Sequence, residues 1–338
     1  MTKNMVNVSL VGFGRVGRDL VRQSIENDNI NIISISDTAD KSNLVYLLKY
    51  DTIYGKLNAE VNETENGIKI DNKEILFNNW KDASESDWES LNTDIVVLAT
   101  GKPQNSNEVQ MHLEKGCKKV IIASTPEEFG DIQIYVPGAN DDVVDFGKNV
   151  FSLGSNTANA VAPVLKVLND SFGIERAFLT TVHGYSNSNR LADVAGEGFR
   201  LNRAAGENII PSITSSSEVI SEVVPFIKGN IASSSMTVPI PDGSTVDLTI
   251  DLAKESSIDE VNRTLLEASK NELKDIIGLT YDPIVSSDVV KSTLSGLVDG
   301  LATMGIENRK IKLIIWFDNG WGYSARIIDT IKKLSQDL

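Results

Sequence analysis

Sulfur and imidazole are scarce in this chain: its 338 residues include one cysteine and two histidines. A single cysteine excludes an intramolecular disulfide. Two histidines and one cysteine are too few for a structural zinc site, so no metal is expected. Cations are short as well, with 32 Lys and Arg against 47 Asp and Glu and a formal net charge of −15. That balance argues against a nucleic-acid partner, which needs a cationic surface. It also disfavours docking on anionic membranes. No apolar run approaches the length of a membrane span. The N-terminus, MTKNMVNVSLVGFG, lacks the pattern of a cleavable secretory signal and runs straight into a strand-like segment. A cytoplasmic protein is expected. The lone Cys117, in Gly116-Cys117-Lys118-Lys119-Val120, reads as a small packed thiol rather than a reactive one.

What is present describes an ordinary globular chain, 41% hydrophobic and 23% charged. The first half alternates strand-like and helix-like segments. Val6–Val11, Ile30–Ile35, Ile95–Ala99 and Val120–Ala123 read as short buried strands. Helical patterns fall at about Arg15 to Glu26 and at Asn107–Lys115. This alternation predicts parallel strands with crossover helices, a Rossmann-type doubly wound α/β sheet. After about residue 150 the pattern changes. Asn156–Leu168 reads as a helix. Longer strand candidates follow at Arg176–His183, Val246–Leu252 and Lys312–Phe317, with amphipathic helices at Ile258–Ala268 and Tyr323–Leu334. The spacing predicts an α+β second domain on a mixed, largely antiparallel sheet. Expected boundaries are 1–155 and 156–319, the C-terminal helix (about 320–338) returning to the first domain. Gly184–Gly206 is polar and long for a connection, the mark of a functional loop.

Gly12-Phe13-Gly14-Arg15-Val16-Gly17 is a G-x-G-x-x-G between a predicted strand and a predicted helix, the context in which the motif carries meaning. The first glycine permits the turn, the second lets a pyrophosphate approach the backbone, and the third lets helix and strand pack closely. The helix N-terminus adds amide donors. Asp37 ends the second strand, where a carboxylate accepts from a ribose 2′-hydroxyl and repels a 2′-phosphate. NAD is therefore expected over NADP.

Further motifs span nearly the whole chain: Leu47-Leu48-Lys49-Tyr50-Asp51-Thr52-Ile53-Tyr54-Gly55-Lys56, Ser155-Asn156-Thr157-Ala158-Asn159-Ala160-Val161-Ala162-Pro163, Thr180-Thr181-Val182-His183, Asn208-Ile209-Ile210-Pro211 and Trp316-Phe317-Asp318-Asn319-Gly320-Trp321-Gly322-Tyr323-Ser324. Together with the glycine motif they resemble the glyceraldehyde-3-phosphate dehydrogenases. The resemblance implies that Asn319 holds the nicotinamide carboxamide, that Tyr323 supports it, and that Thr100 and Gly101 line the cofactor. It implies His183 as the acid/base group, and Ser155, Thr157, Ser186, Thr214 and Thr237 at substrate positions. It also implies a homotetramer, with Gly184–Gly206 reaching a neighbouring subunit's cofactor.

The family's nucleophilic cysteine falls on Asn156. In the family its thiolate attacks an aldehyde, hydride leaves the thiohemiacetal for NAD, and phosphate cleaves the thioester. A neutral carboxamide cannot begin that sequence. Ala158 and Ala160 stand at the family's second threonine and second cysteine. Thr237 and Leu201 stand at two arginines, and losing a guanidinium removes bidentate phosphate binding. Arg190, Arg200 and Arg203 could replace them if the loop bends inward. Two functions stay open. One is an NAD-dependent oxidoreductase that transfers hydride without a covalent intermediate, with His183 as acid/base and Asn156 donating to the substrate oxygen. The other is a catalytically silent NAD-binding homologue serving as sensor, scaffold or partner subunit.

Overall fold

The computed structural model describes residues 5–27, 29–196 and 198–338. Residues 1–4, at the start of the expected N-terminal reading, and Glu197, within the long polar loop, lie outside that description. The chain divides into two compact units. One comprises Met1–Tyr135, Val143–Gly154 and Ser324–Leu338; the other Val136–Asp142 and Ser155–Tyr323.

The first unit is built on an eight-stranded sheet. Its order is Val150–Ser152, Lys119–Ile122, Ile95–Leu98, Val6–Val11, Ile30–Ser36, Lys73–Asn78, Gly67–Ile70 and Val61–Glu63. The first six run parallel, as the alternating pattern predicts. In Ile95–Leu98 and Lys119–Ile122 every side chain is buried, so nearly continuous apolar runs mark these central strands. The last two strands turn back antiparallel. Sequence reading missed these two and Lys73–Asn78, because Val61–Glu63 and Lys73–Asn78 mix exposed charged residues with apolar ones. The first helix spans Arg15–Ser24, shorter than expected by the turn at Ile25 and Glu26.

The second unit has its own sheet, ordered Ile210–Ser212, Ile231–Val238, Ile174–Gly184, Ser244–Leu252, Lys310–Phe317, Gly296–Asp299 and Ile277–Thr280, with Met304–Ile306 beside Lys310–Phe317. Five of its seven strand pairings are antiparallel and two parallel, a mixed, largely antiparallel sheet. Strict alternation buries Val246, Leu248, Ile250 and Leu252 on one face. The helix Asn156–Phe172 packs within this unit with Ala158, Ala160, Val161, Val164, Leu165 and Leu168 buried. Ile231–Val238 went unread because its Ser-rich centre has no apolar period.

Candidate active site

In the first unit the glycine motif forms a turn that only glycine can make. Gly12 has φ +94°, and a Cβ there would stand 2.6 Å from the Ala99 carbonyl oxygen. A Cβ on Gly17 would stand 2.4 Å from the Gly12 carbonyl oxygen, so the helix meets its strand by backbone contact. Gly14 faces open space, with nothing within 4 Å of a Cβ built on it. It is the N-cap of the helix Arg15–Ser24 and no side chain caps it. A helix start of this kind suits an anionic ligand. Asp37 holds this turn: one carboxylate oxygen accepts from the Phe13 amide at 2.7 Å and the other from the Ala39 amide at 2.8 Å. Each oxygen retains acceptor capacity for a diol. The Phe13 ring is fully buried, so Phe13 serves the turn through its backbone; Val16 is half-buried and Arg15 exposed. Thr100 and Gly101 are exposed just after Ile95–Leu98, Gly101 with φ +70°. An open glycine turn at a helix start that no side chain caps, with a carboxylate beside it, fits a dinucleotide diphosphate with an unphosphorylated ribose.

The second unit gathers Asn156, His183 and Asn319 into one hydrogen-bonded network. Ser155 caps the helix Asn156–Phe172, its hydroxyl accepting from the Ala158 amide at 3.1 Å. Asn156 is thus the first helical residue. Its Nδ2 donates to the Asn319 carbonyl at 2.9 Å, and its Oδ1 accepts from the Thr157 amide at 2.8 Å. One Nδ2–H is so committed; an amide nitrogen has two. The Asn319 side chain is fixed in turn by the Ser244 hydroxyl, which donates to its Oδ1 and accepts from the Gly184 amide at 3.2 Å. The Asn319 backbone amide donates to Asp242 at 2.9 Å. Before it, the buried Asp318 accepts from the amides of Gly320, Trp321 and Lys291 at 2.8, 2.6 and 2.8 Å, anchoring the start of the helix Trp321–Leu334.

His183 closes the circuit. Its Nδ1 lies 2.7 Å from the Gly184 carbonyl oxygen. A carbonyl only accepts, so Nδ1 carries the hydrogen, and Nε2 is the lone-pair nitrogen of the neutral ring. Burial pushes the His183 pKa down; the Gly184 carbonyl and the Asp242 charge push back. The ring meets Phe317 edge-on at 6.3 Å. In the parallel register His183 pairs with Thr237, which is buried. Tyr323 is buried, and burial raises its phenol pKa far above the usual range.

The remaining expected substrate residues divide. Thr157 is buried in the first helical turn. Thr214 is half-buried, its hydroxyl 2.8 Å from that of Ser216 and accepting from the Ser216 amide at 3.2 Å. Ser186 is exposed and bonded locally to Ser188 and Asn189. Arg203 is tied to Asp193 at 2.8 Å on the exposed loop, and Arg190 and Arg200 are exposed. Asp242 is the charge among the described residues that opposes the effect of burial on His183. Sequence reading missed Asp242 and Ser244. Pro241-Asp242-Gly243 carries only a turn signal, and Ser244 opens a strand like many others. Cys117 packs beside Val109 and Trp88 and donates to the His112 carbonyl at 3.2 Å; burial pushes its thiol pKa to about 12. The described residues include no group of three or more His, Cys, Asp or Glu that could hold a metal ion. They include no helix long and apolar enough to cross a membrane.

Comparison with known proteins agrees with this architecture. Residues 6–106 match the family described as glyceraldehyde 3-phosphate dehydrogenase, NAD binding domain, and residues 155–319 match glyceraldehyde 3-phosphate dehydrogenase, C-terminal domain. The chain is similar to the glyceraldehyde-3-phosphate dehydrogenase of Priestia megaterium, 41% identical over 331 residues, covering 98% of each chain. It is 40% identical over 325 residues to that of Geobacillus stearothermophilus, covering 96% of each. It is 40% identical over 332 residues to that of Thermotoga maritima, covering 98% of this chain and 99% of the relative.

Proposed function

The chain belongs to the glyceraldehyde-3-phosphate dehydrogenase family and its cofactor is NAD, and we propose that it is an oxidoreductase that transfers hydride without a covalent enzyme intermediate. The observation that carries the reading is the commitment of Asn156: a carboxamide bonded at both ends stands where the family places its thiolate, and it has no nucleophilic electron pair to offer a carbonyl carbon. Hydride exchange between an alcohol and a carbonyl requires no such attack. It requires held reactants and a proton acceptor.

NAD, when bound, accepts the hydride. The chain's own residues do the rest. The lone pair on His183 Nε2 takes the hydroxyl proton as the alcohol carbon loses its hydride and becomes a carbonyl. The second Nδ2–H of Asn156 donates to the oxygen on which negative charge develops. With Oδ1 bound by Ser244, Asn319 presents Nδ2, a donor suited to a carboxamide oxygen. Ser155, Thr157, Thr214 and Thr237 supply hydroxyls to an uncharged polar substrate. Residues 1–155 with the C-terminal stretch from about 320 serve the cofactor, and 156–319 the chemistry. The assembly is a homotetramer in the cytoplasm; the exposure of Leu191 (85%) and Phe199 (95%) on the long loop suits burial against another subunit.

The test is nicotinamide reduction across alcohols and aldehydes, each with and without a phosphate group. Turnover of phosphate-free hydroxy compounds is expected. NAD binding without turnover of any of them would instead select the silent homologue acting as sensor, scaffold or partner subunit. The variant Asn156→Cys separates the causes. It stays inert on glyceraldehyde 3-phosphate if the phosphate-binding groups were lost with the nucleophile.

A further inference from the structure

His183 is half-buried, so a proton it accepts places a positive charge where water solvates it only in part, and a nearby counter-charge eases that cost. The network around His183 contains one ionisable group that the hydride-transfer reading leaves without a role. Asp242 is buried. Its Oδ1 accepts from the Gly243 amide at 2.8 Å and the Asn319 amide at 2.9 Å. Its backbone lies against the residue that holds the imidazole: a Cβ built on Gly184 would stand 3.2 Å from the Asp242 nitrogen and 3.1 Å from Asn319 Nδ2. Gly184 is also the residue whose carbonyl accepts from His183 Nδ1.

We propose that Asp242 is a positioning residue for His183, its buried carboxylate serving as the counter-charge for the imidazolium that forms when Nε2 takes the substrate's proton. In a site with a cysteine the anion could be a thiolate; with Asn156 in that position, Asp242 is the one charge among the described residues that acts on His183. Among the described residues the surrounding elements offer no competing charge. On the paired strand the partner of His183 is Thr237, which is uncharged. On the other side stand Ser244 and Thr245. Asp247, further along, is level with Thr180 and salt-bridged to Lys312 at 2.7 Å. The first turn of the helix Asn156–Phe172 carries no acidic residue, and Asn156, Thr157, Ala158 and Asn159 carry no charge. The same carboxylate fixes the Asn319 backbone, so one buried charge serves both the proton acceptor and the residue beside it.

This inference rests on the hydride-transfer reading, and the two fail separately. The chain has only two histidines, so imidazole proton–carbon NMR of the NAD-loaded protein gives two ring titrations, and His112→Gln assigns them. In Asp242→Asn, which keeps an oxygen to accept from Asn319, the His183 titration should move to lower pH. Turnover at neutral pH should fall about tenfold with KM little changed, because a weaker base takes the proton less readily. Ser244→Ala cuts the link between Asn319 and Gly184 but keeps the carboxylate, and it should leave the His183 titration in place. An unmoved titration in folded Asp242→Asn overturns the assignment. So does a downward shift in Ser244→Ala, which decides the matter even if the first variant does not fold. Absence of turnover in the unmodified protein would sink the hydride-transfer reading and leave the electrostatic pairing to these titrations.

Discussion

The two histidines of this chain sit in two differently built pockets, and the contrast sets a residue held by packing alone against one whose burial is opposed by a carbonyl and a carboxylate. His112, in the first unit, is buried in an apolar cluster with Trp88, Val109 and Cys117. Its Nδ1 accepts from Trp88 Nε1 at 3.1 Å, and burial alone lowers its pKa to about 4. Nothing offsets that burial. His183, in the second unit, is also pushed down by burial, yet a carbonyl and a carboxylate oppose it. Both rings are neutral at pH 7. Of the two, His183 has groups beside it that favour its charged form.

The largest expected effect breaks the comparison on the His183 side. His183→Gln should lower kcat by about 10²–10⁴ while melting and NAD affinity stay close to those of the parent. Steady-state kinetics with calorimetric NAD binding checks this. The next effect lies in His112. Its folded pKa is below its unfolded value near 6.5, so the unfolded chain binds the proton first. Stability is fully retained above pH 6.5 and is lost as pH falls toward 4, by on the order of 3 kcal/mol. Denaturant unfolding across that window should be steeply pH-dependent in the parent and flatter in His112→Gln, whose amide can still accept from Trp88.

Smaller effects sharpen the contrast. Trp88→Phe leaves the buried His112 Nδ1 without its donor and should cost about 1–3 kcal/mol, with turnover unchanged. Cys117→Ala should cost about 1 kcal/mol and leave kinetics unaltered. The Cys117 thiol, its pKa pushed to about 12, should react with thiol reagents only on unfolding.

The first unit was more legible in the sequence than the second, for a physical reason. A dinucleotide turn is made by backbone, and backbone shape is written in single residues. Gly12 and Gly17 cannot carry a Cβ, and Asp37 stands at the end of its strand, so a local string reports the site. Parallel strands buried on both faces declare themselves as apolar runs, whereas the hairpin of Gly67–Ile70 and the charge-bearing Lys73–Asn78 does not. The Asn156, His183 and Asn319 cluster is made by side chains brought together from distant segments. Asn156 and Asn319 meet across 163 residues, and Ser244 and Asn319 across 75. Family likeness marked Asn156, His183 and Asn319. It gave no reason to single out Asp242, because Pro-Asp-Gly is the ordinary text of a turn. Only the fold shows that this turn abuts Gly184 and places its carboxylate on the Asn319 amide.

The central claim is that a chain with Asn156 at the nucleophile position still moves hydride and forms no bond to its substrate. The direct measurement is turnover of a phosphate-free hydroxy compound, deuterated at its alcohol carbon, with NAD and without added phosphate. It is followed by nicotinamide absorbance and by intact-protein mass after an acid quench. The account predicts nicotinamide reduction slowed by deuterium, transfer of the label to the cofactor, and an unmodified protein mass. A protein that binds NAD yet reduces none of it with any hydroxy compound or aldehyde, or one whose mass gains an acyl group, would contradict it.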